Sequence, residues 1–230
     1  MRKVRFAEGE IYHIYNRGVE KRECFADDQD RSRFLLDLVE MNSTAPVVNS
    51  GYFFLRNSRQ NFDSDRPMQT SRQTRGERLS EVLAFVLMPN HFHLLLKQRR
   101  RDGIPTFMQK LGTAYTMYFN KRWHRTGMLF QGPYRAVHIK REDHYEWISH
   151  YIHANPLKLR PPLPSAELQM ESLKSYVWTS FRDYAGLGGF PHIVDKTILQ
   201  ELYSRDGGFY SSMLKWLRNR LLMSIEAKPR

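Results

Sequence analysis

Apolar and polar residues alternate along "EIYHIYNR" (10–17), the period-two signature of a half-buried strand. The period then lengthens. In "DDQDRSRFLLDLVEM", Phe34, Leu35, Leu38 and Met41 recur at helical spacing behind an acidic start, which predicts a helix. Two further strands are expected at about 82–88 and 91–97, separated by Pro89-Asn90 as a tight turn or bulge. From Ile104 to Trp123, Phe107, Met108, Leu111, Tyr115, Tyr118 and Phe119 form one helical stripe behind Pro105. Residues 129–140 read as extended. "REDHYEWISHYIHAN" reads as a helix that opens with acids near its positive end and stops at Pro156. "SLKSYVWTSFRDYAG", "ILQELY" and "SSMLKWLRNRLLMSI" read as a packed tail with a terminal amphipathic helix. The order strand, helix, strand, strand, helix, strand, helix predicts an α+β sandwich. It has an antiparallel-rich central sheet with its helices on one face.

One segment breaks the pattern. Residues 56–81 carry Arg56, Arg59, Arg66, Arg72, Arg75 and Arg78 among Ser, Gln and Asn, with few large apolar side chains, and read as a basic insertion. The "GYFFL" before it suggests an extra strand. Hydrophobic residues make up 41% of the chain, enough for a real core, while Lys and Arg number 36 against 24 acids. The resulting net charge of +12 favours a polyanionic partner, nucleic acid first. A membrane span is excluded, because the longest apolar run, Val82 to Leu96, is broken by Pro89, Asn90 and two histidines and falls short of about 20 residues. "MRKVRFAEGE" lacks the apolar stretch of a secretory signal. The single Cys24 allows neither an internal disulfide nor a cysteine-based zinc site, which suits a cytoplasmic, nucleoid-associated protein.

His91 and His93 stand inside the apolar run "VLAFVLMPNHFHLLLK" and, by strand alternation, project from one face with Phe92 opposite. Two imidazoles on one face can chelate a metal. They can equally be buried polar residues bonded to backbone. A catalytic metal needs a third protein donor. On the helix stopped by Pro156, Ile148, Tyr151, Ile152 and Asn155 fall at i, i+3, i+4 and i+7, so Tyr151 and Asn155 share an inward face. Asn155 can offer an amide oxygen, although an ordinary core tyrosine and a helix C-cap would explain the same two residues.

The segments "IYHIYNRGVEKRECF", "AFVLMPNHFHLLL", "FMQKLGTAYTMYFNKRWHRTGMLFQG" and "YIHANPLKL", in that order, resemble the single-tyrosine HUH transposases, most closely the REP-associated tyrosine transposases (RAYT). The resemblance covers about residues 10–185, leaving 186–230 as a C-terminal helical tail. It implies the HUH endonuclease fold, a ferredoxin/RRM-like sandwich. It puts the HUH element on His91-Phe92-His93, the nucleophile on Tyr151, and the polar metal ligand on Asn155. The implied reaction is metal-dependent cleavage and joining of single-stranded DNA at REP-like palindromic hairpins through a 5'-phosphotyrosine intermediate. Hard oxygen ligands and phosphate favour Mg2+ or Mn2+, whereas the imidazole pair alone would also accept zinc. His150 and His153 flank the tyrosine as candidates for proton transfer. Arg17, Arg99, Arg100, Lys121, Arg122, Tyr134, Arg135, Lys140 and Lys158 are candidate DNA contacts, with Trp123 and His124 as further stacking groups. A monomer without protein partners is expected. Two alternatives remain open: a hairpin-binding protein, for DNA or RNA, with weak catalysis, and a metal-dependent nuclease in which water attacks.

Overall fold

The computed structural model describes residues 4–46 and 76–226. Four strands, β1 (Ile11–Arg17), β2 (Ser80–Met88), β3 (His91–Gln98) and β4 (Arg135–Ile139), form one antiparallel sheet in the order β2-β3-β1-β4. Helices α1 (Asp28–Glu40) and α2 (Gly103–Arg122) cover one face. Helix α3 (Glu142–His153) lies on the other face. With it are α4 (Ala166–Lys174), α5 (Phe181–Tyr184), α6 (Thr197–Ser204) and α7 (Phe209–Glu226).

The α+β sandwich forms as expected, but helices cover both faces of the sheet instead of one. Leu94, Leu95 and Leu96 are consecutive and fully buried, so both faces of β3 are apolar and each needs a cover. Tyr12, Ile14, Phe85, Phe92 and Leu94 pack on Phe34 and Leu38 of α1 and on Phe107, Leu111 and Tyr115 of α2. Ile11, Val86 and Leu95 point the opposite way, into a second core with Ile148 and Ile152 of α3. Leu199, Tyr203, Phe209, Met213 and Leu217 of the tail belong to that second core.

The hairpin between β2 and β3 is the two-residue Pro89-Asn90 turn, and it is firmly held. The Pro89 carbonyl accepts from Cys24 N and Phe25 N, and the Asn90 carbonyl accepts from Gly18 N at 2.9 Å. Gly18 is required at that contact, because a Cβ there would run into the Arg22 carbonyl oxygen.

Two boundaries differ from expectation. The last strand is limited to Arg135–Ile139, since Gly132 (φ +131°) and Pro133 interrupt the extended run; upstream, Phe130 keeps only an isolated bridge to Gly18. Strand β2 begins at Ser80, inside the segment read as an insertion. Residues 56–75 of that segment, and the expected strand at 51–55, lie outside the described residues. Among the described residues, no helix is long and apolar enough to cross a membrane.

Candidate active site

Register places the site. Arg17 pairs with His91, Tyr15 with His93 and His13 with Leu95, so alternation puts His13, Tyr15, Arg17, His91 and His93 on the face that α3 covers. His93 is buried and His91 half-buried. His13 Nε2 lies 2.8 Å from His93 Nδ1, the two rings stacked with centroids 5.0 Å apart. His91 Nδ1 lies 2.7 Å from Asn90 Oδ1, whose own amide nitrogen donates to the Lys21 carbonyl. An amide oxygen only accepts, so His91 Nδ1 carries the proton and its Nε2 is a bare lone pair.

Helix α3 brings the tyrosine. Tyr151 meets His93 edge-on with centroids 5.7 Å apart, and His13 at 6.2 Å. The helix ends at His153, and Asn155 opens the 3-10 turn Asn155–Leu159 with Pro156 behind it. Asn155 is fully buried. Its Nδ2 donates to the Tyr151 carbonyl at 2.9 Å, which leaves Oδ1 as the side chain's acceptor. Lys158 Nζ donates to that Oδ1 at 3.0 Å and to the Tyr151 hydroxyl at 3.3 Å. Sequence reasoning took Lys158 for a phosphate contact only. It overlooked His13 and Tyr15 altogether; the alternation of "YHIY" was the signal, since it puts His13 on a buried face where a polar ring needs a partner.

Burial lowers the pKa of all three histidines: His13 to about 4, His91 to about 4 and His93 to about 2. The Arg17 and Lys158 charges push His91 further down, partly offset by Asn155. Neighbouring His13 and His91, then Lys158 and Arg17, add to burial at His93. At neutral pH the imidazoles are uncharged, the form a metal requires. Among the described residues, no group of three or more His, Cys, Asp or Glu side chains is arranged to hold a metal. Asn155 Oδ1, which accepts from Lys158, is the amide oxygen that the turn after α3 contributes beside the histidines. For His93 to offer Nε2, its Nδ1–H must donate to His13 Nε2, the outer-shell bond that metal-bound histidines usually make. Neutral imidazoles and an amide oxygen are donor types that a divalent cation accepts.

Other candidates separate by place. Tyr115 and Tyr118 lie on the opposite face of the sheet, their hydroxyls on the Cys24 carbonyl and Asp30. His150 and His153 turn away from Tyr151: their Nε2 atoms reach Ser212 Oγ at 2.7 Å and Ser180 Oγ at 2.9 Å. Arg17 is exposed beside His91, and Arg135 is exposed on β4 opposite Tyr15. Lys121 and Lys140 are exposed at the ends of α2 and β4. Arg99 and Arg100 follow the far end of β3, roughly 25–30 Å of strand from His91, and pair with Glu81 and Glu77. Two expectations are corrected. Arg122 is committed to Asp27 and Asp30 at the start of α1. Tyr134 is buried in the core under α1 and α2, so its ring cannot stack on a base.

Residues 56–155 match the family model of IS200-like transposases, a segment that includes His91, His93, Tyr151 and Asn155. The fold is similar to that of a solved REP-associated tyrosine transposase bound to a REP hairpin. The TM-score is 0.50 at 13% identity, covering 85% of this chain and 93% of the other. A proposed transposase from Deinococcus radiodurans R1 matches at 18% identity and TM-score 0.35, over 66% of this chain and 95% of the other. No curated protein matches. The family-model match and the likeness of fold agree with the resemblance carried by the motifs.

Proposed function

We propose that this IS200-like transposase relative cleaves and rejoins single-stranded DNA at palindromic hairpins, with Tyr151 as nucleophile and His91, His93 and Asn155 holding a divalent metal, Mg2+ or Mn2+. The observation that carries the reading is the meeting of α3 with the histidine face: Tyr151 lies edge-on to His93, and Lys158 joins its hydroxyl to Asn155 Oδ1. A hairpin-bound solved relative in fold supports the choice of substrate.

The Tyr151 oxygen forms a bond to the scissile phosphorus as the bond from phosphorus to the 3' oxygen breaks. The phenolic proton is released, and the departing 3' oxygen takes up a proton to become a hydroxyl. An unperturbed phenol ionises near pH 10, so the reaction needs help with charge at that oxygen. Lys158 supplies it by donating a hydrogen bond to the phenolic oxygen. When bound, the metal adds Lewis-acid stabilisation of the phosphate oxygens. Exposed Arg17 and Arg135 on the same face hold neighbouring phosphates. The phosphotyrosine ester conserves the bond energy, so a 3' hydroxyl can reverse the step without ATP. Helix α3 packs on its own sheet and is covered there by the tail, which supports a site complete within one monomer.

The test is incubation with labelled hairpin DNA bearing single-stranded flanks, plus Mn2+ or Mg2+, followed by denaturing electrophoresis. Wild type and Tyr15→Phe are expected to give a denaturation-resistant adduct, and Tyr151→Phe none. Cleavage that persists in Tyr151→Phe would sink the assignment and favour attack by water or by Tyr15.

A further inference from the structure

Trp147 has no part in the chemistry above. It is 52% exposed, although an indole is among the most favourable side chains to bury. It lies one helical turn before Tyr151 on α3, and the two rings are stacked, with centroids 5.6 Å apart and planes 6° from parallel. Trp216 of the tail meets it edge-on at 6.3 Å, and half of the indole's surface stays open. We propose that Trp147 is a stacking subsite for an unpaired nucleobase of the strand that Tyr151 attacks. This deepens the functional reading above and rests on it.

The occupant follows from the surroundings. A base is flat, apolar on its faces and attached to a negative backbone, so it needs an exposed aromatic next to cations. Exposed Lys158, on the Tyr151 hydroxyl, and exposed Arg17, beside His91, provide them. The acids near Trp147 do not oppose a polyanion strongly: Asp143 pairs with Arg141 and Glu142 with Arg205. Glu146 is turned to Ser212 and His150. Preceding residues Glu142, Asp143 and His144 of the helix are exposed and polar, so on that side the indole borders a polar surface and not an apolar one. Stacking is tolerant of base identity, so the subsite orders the strand near Tyr151 without reading its sequence.

The experiment measures DNA binding by anisotropy for wild type, Trp147→Phe and Trp147→Ala. The probe is a synthetic hairpin oligonucleotide with single-stranded flanks, in which each flank nucleotide is made abasic in turn. In wild type, one abasic position is expected to weaken Kd about ten- to hundred-fold. Trp147→Ala should weaken binding of the intact probe to a similar extent and be indifferent to that abasic position, while Trp147→Phe keeps most of the affinity. An abasic effect equally large in Trp147→Ala overturns the proposal, and so does the absence of any sensitive position in wild type. Adduct formation by wild type is scored separately. Binding with this pattern but no adduct defeats the transposase reading and leaves the stacking subsite standing. Absence of binding by wild type defeats both.

Discussion

The bond between His13 Nε2 and His93 Nδ1 ties a residue of β1 to a candidate ligand on β3 and leaves His93 only its Nε2 to offer. His13→Phe keeps most of the ring volume and removes the acceptor. Outer-shell partners of this kind typically carry 10- to 100-fold in metal affinity. Mn2+ titration followed by electron paramagnetic resonance should show a loss of that size in His13→Phe; unchanged affinity would mean that His13 only fills space. His91 and His93 were legible because an apolar run interrupted by two polar rings at spacing two has a definite geometry. Lys158 was legible only as a charge. The helix ends at His153, and the 3-10 turn that swings Lys158 back to the Tyr151 hydroxyl follows no helical periodicity. Arg122 was misread for a related reason: its acidic partners Asp27 and Asp30 come from a separate helix start, and no local pattern announces them.

Helix α3 carries Tyr151, the proposed nucleophile, on one side and its fastening on the other. His150 stacks on Tyr203 of α6 and bonds Ser212 of α7, while Ser212 also reaches Glu146. His153 is bonded to Ser180 at the start of α5. Three segments that follow α3 in the chain thus fasten the helix that presents Tyr151. Met213 of α7 is fully buried in the core shared with Ile148 and Ile152. Truncating a buried methionine to alanine costs about 2–5 kcal/mol through lost transfer energy and the cavity left behind. Met213→Ala should lower stability by that amount in urea unfolding and raise amide exchange in α3. A loss confined to α7, with α3 protection unchanged, would show that the tail does not hold the helix. The existence and order of the main elements were readable from period alone, and α3 was readable to its stop before Pro156. Coverage of the second face by the tail was not, because which sheet face a distant amphipathic helix joins depends on contacts across more than a hundred residues. The signal that two covers were needed was present in the unbroken "LLL" of β3.

Across the whole molecule, two charge effects can be read out. The first is the response to acid. His13, His91 and His93 are lowered by burial, as are His150 and His153. Unfolded histidines take up protons near pH 6.5 while these do not, so the unfolded state gains protons first as pH falls. Stability should hold above about pH 6.5 and decline towards pH 4, by as much as about 1.4 kcal/mol per pH unit for each such histidine. Asp37, pushed up to about 7 by burial, and Asp183, also raised, act in the opposite direction, two groups against five. Urea midpoints at pH 7 and pH 5 check the sign: a lower midpoint at pH 5 is expected, and a higher one would show that the histidines are not neutral in the folded protein. The second effect is the net charge of +12, which suits a polyanionic substrate and makes binding salt-sensitive. Catalysis by one tyrosine on that substrate can be tested at a single atom. Digestion of the trapped protein-DNA adduct and mass spectrometry of the peptides should find the nucleotide phosphate on the Tyr151 oxygen. A phosphate on Tyr15, or cleaved DNA with no modified tyrosine, would overturn it.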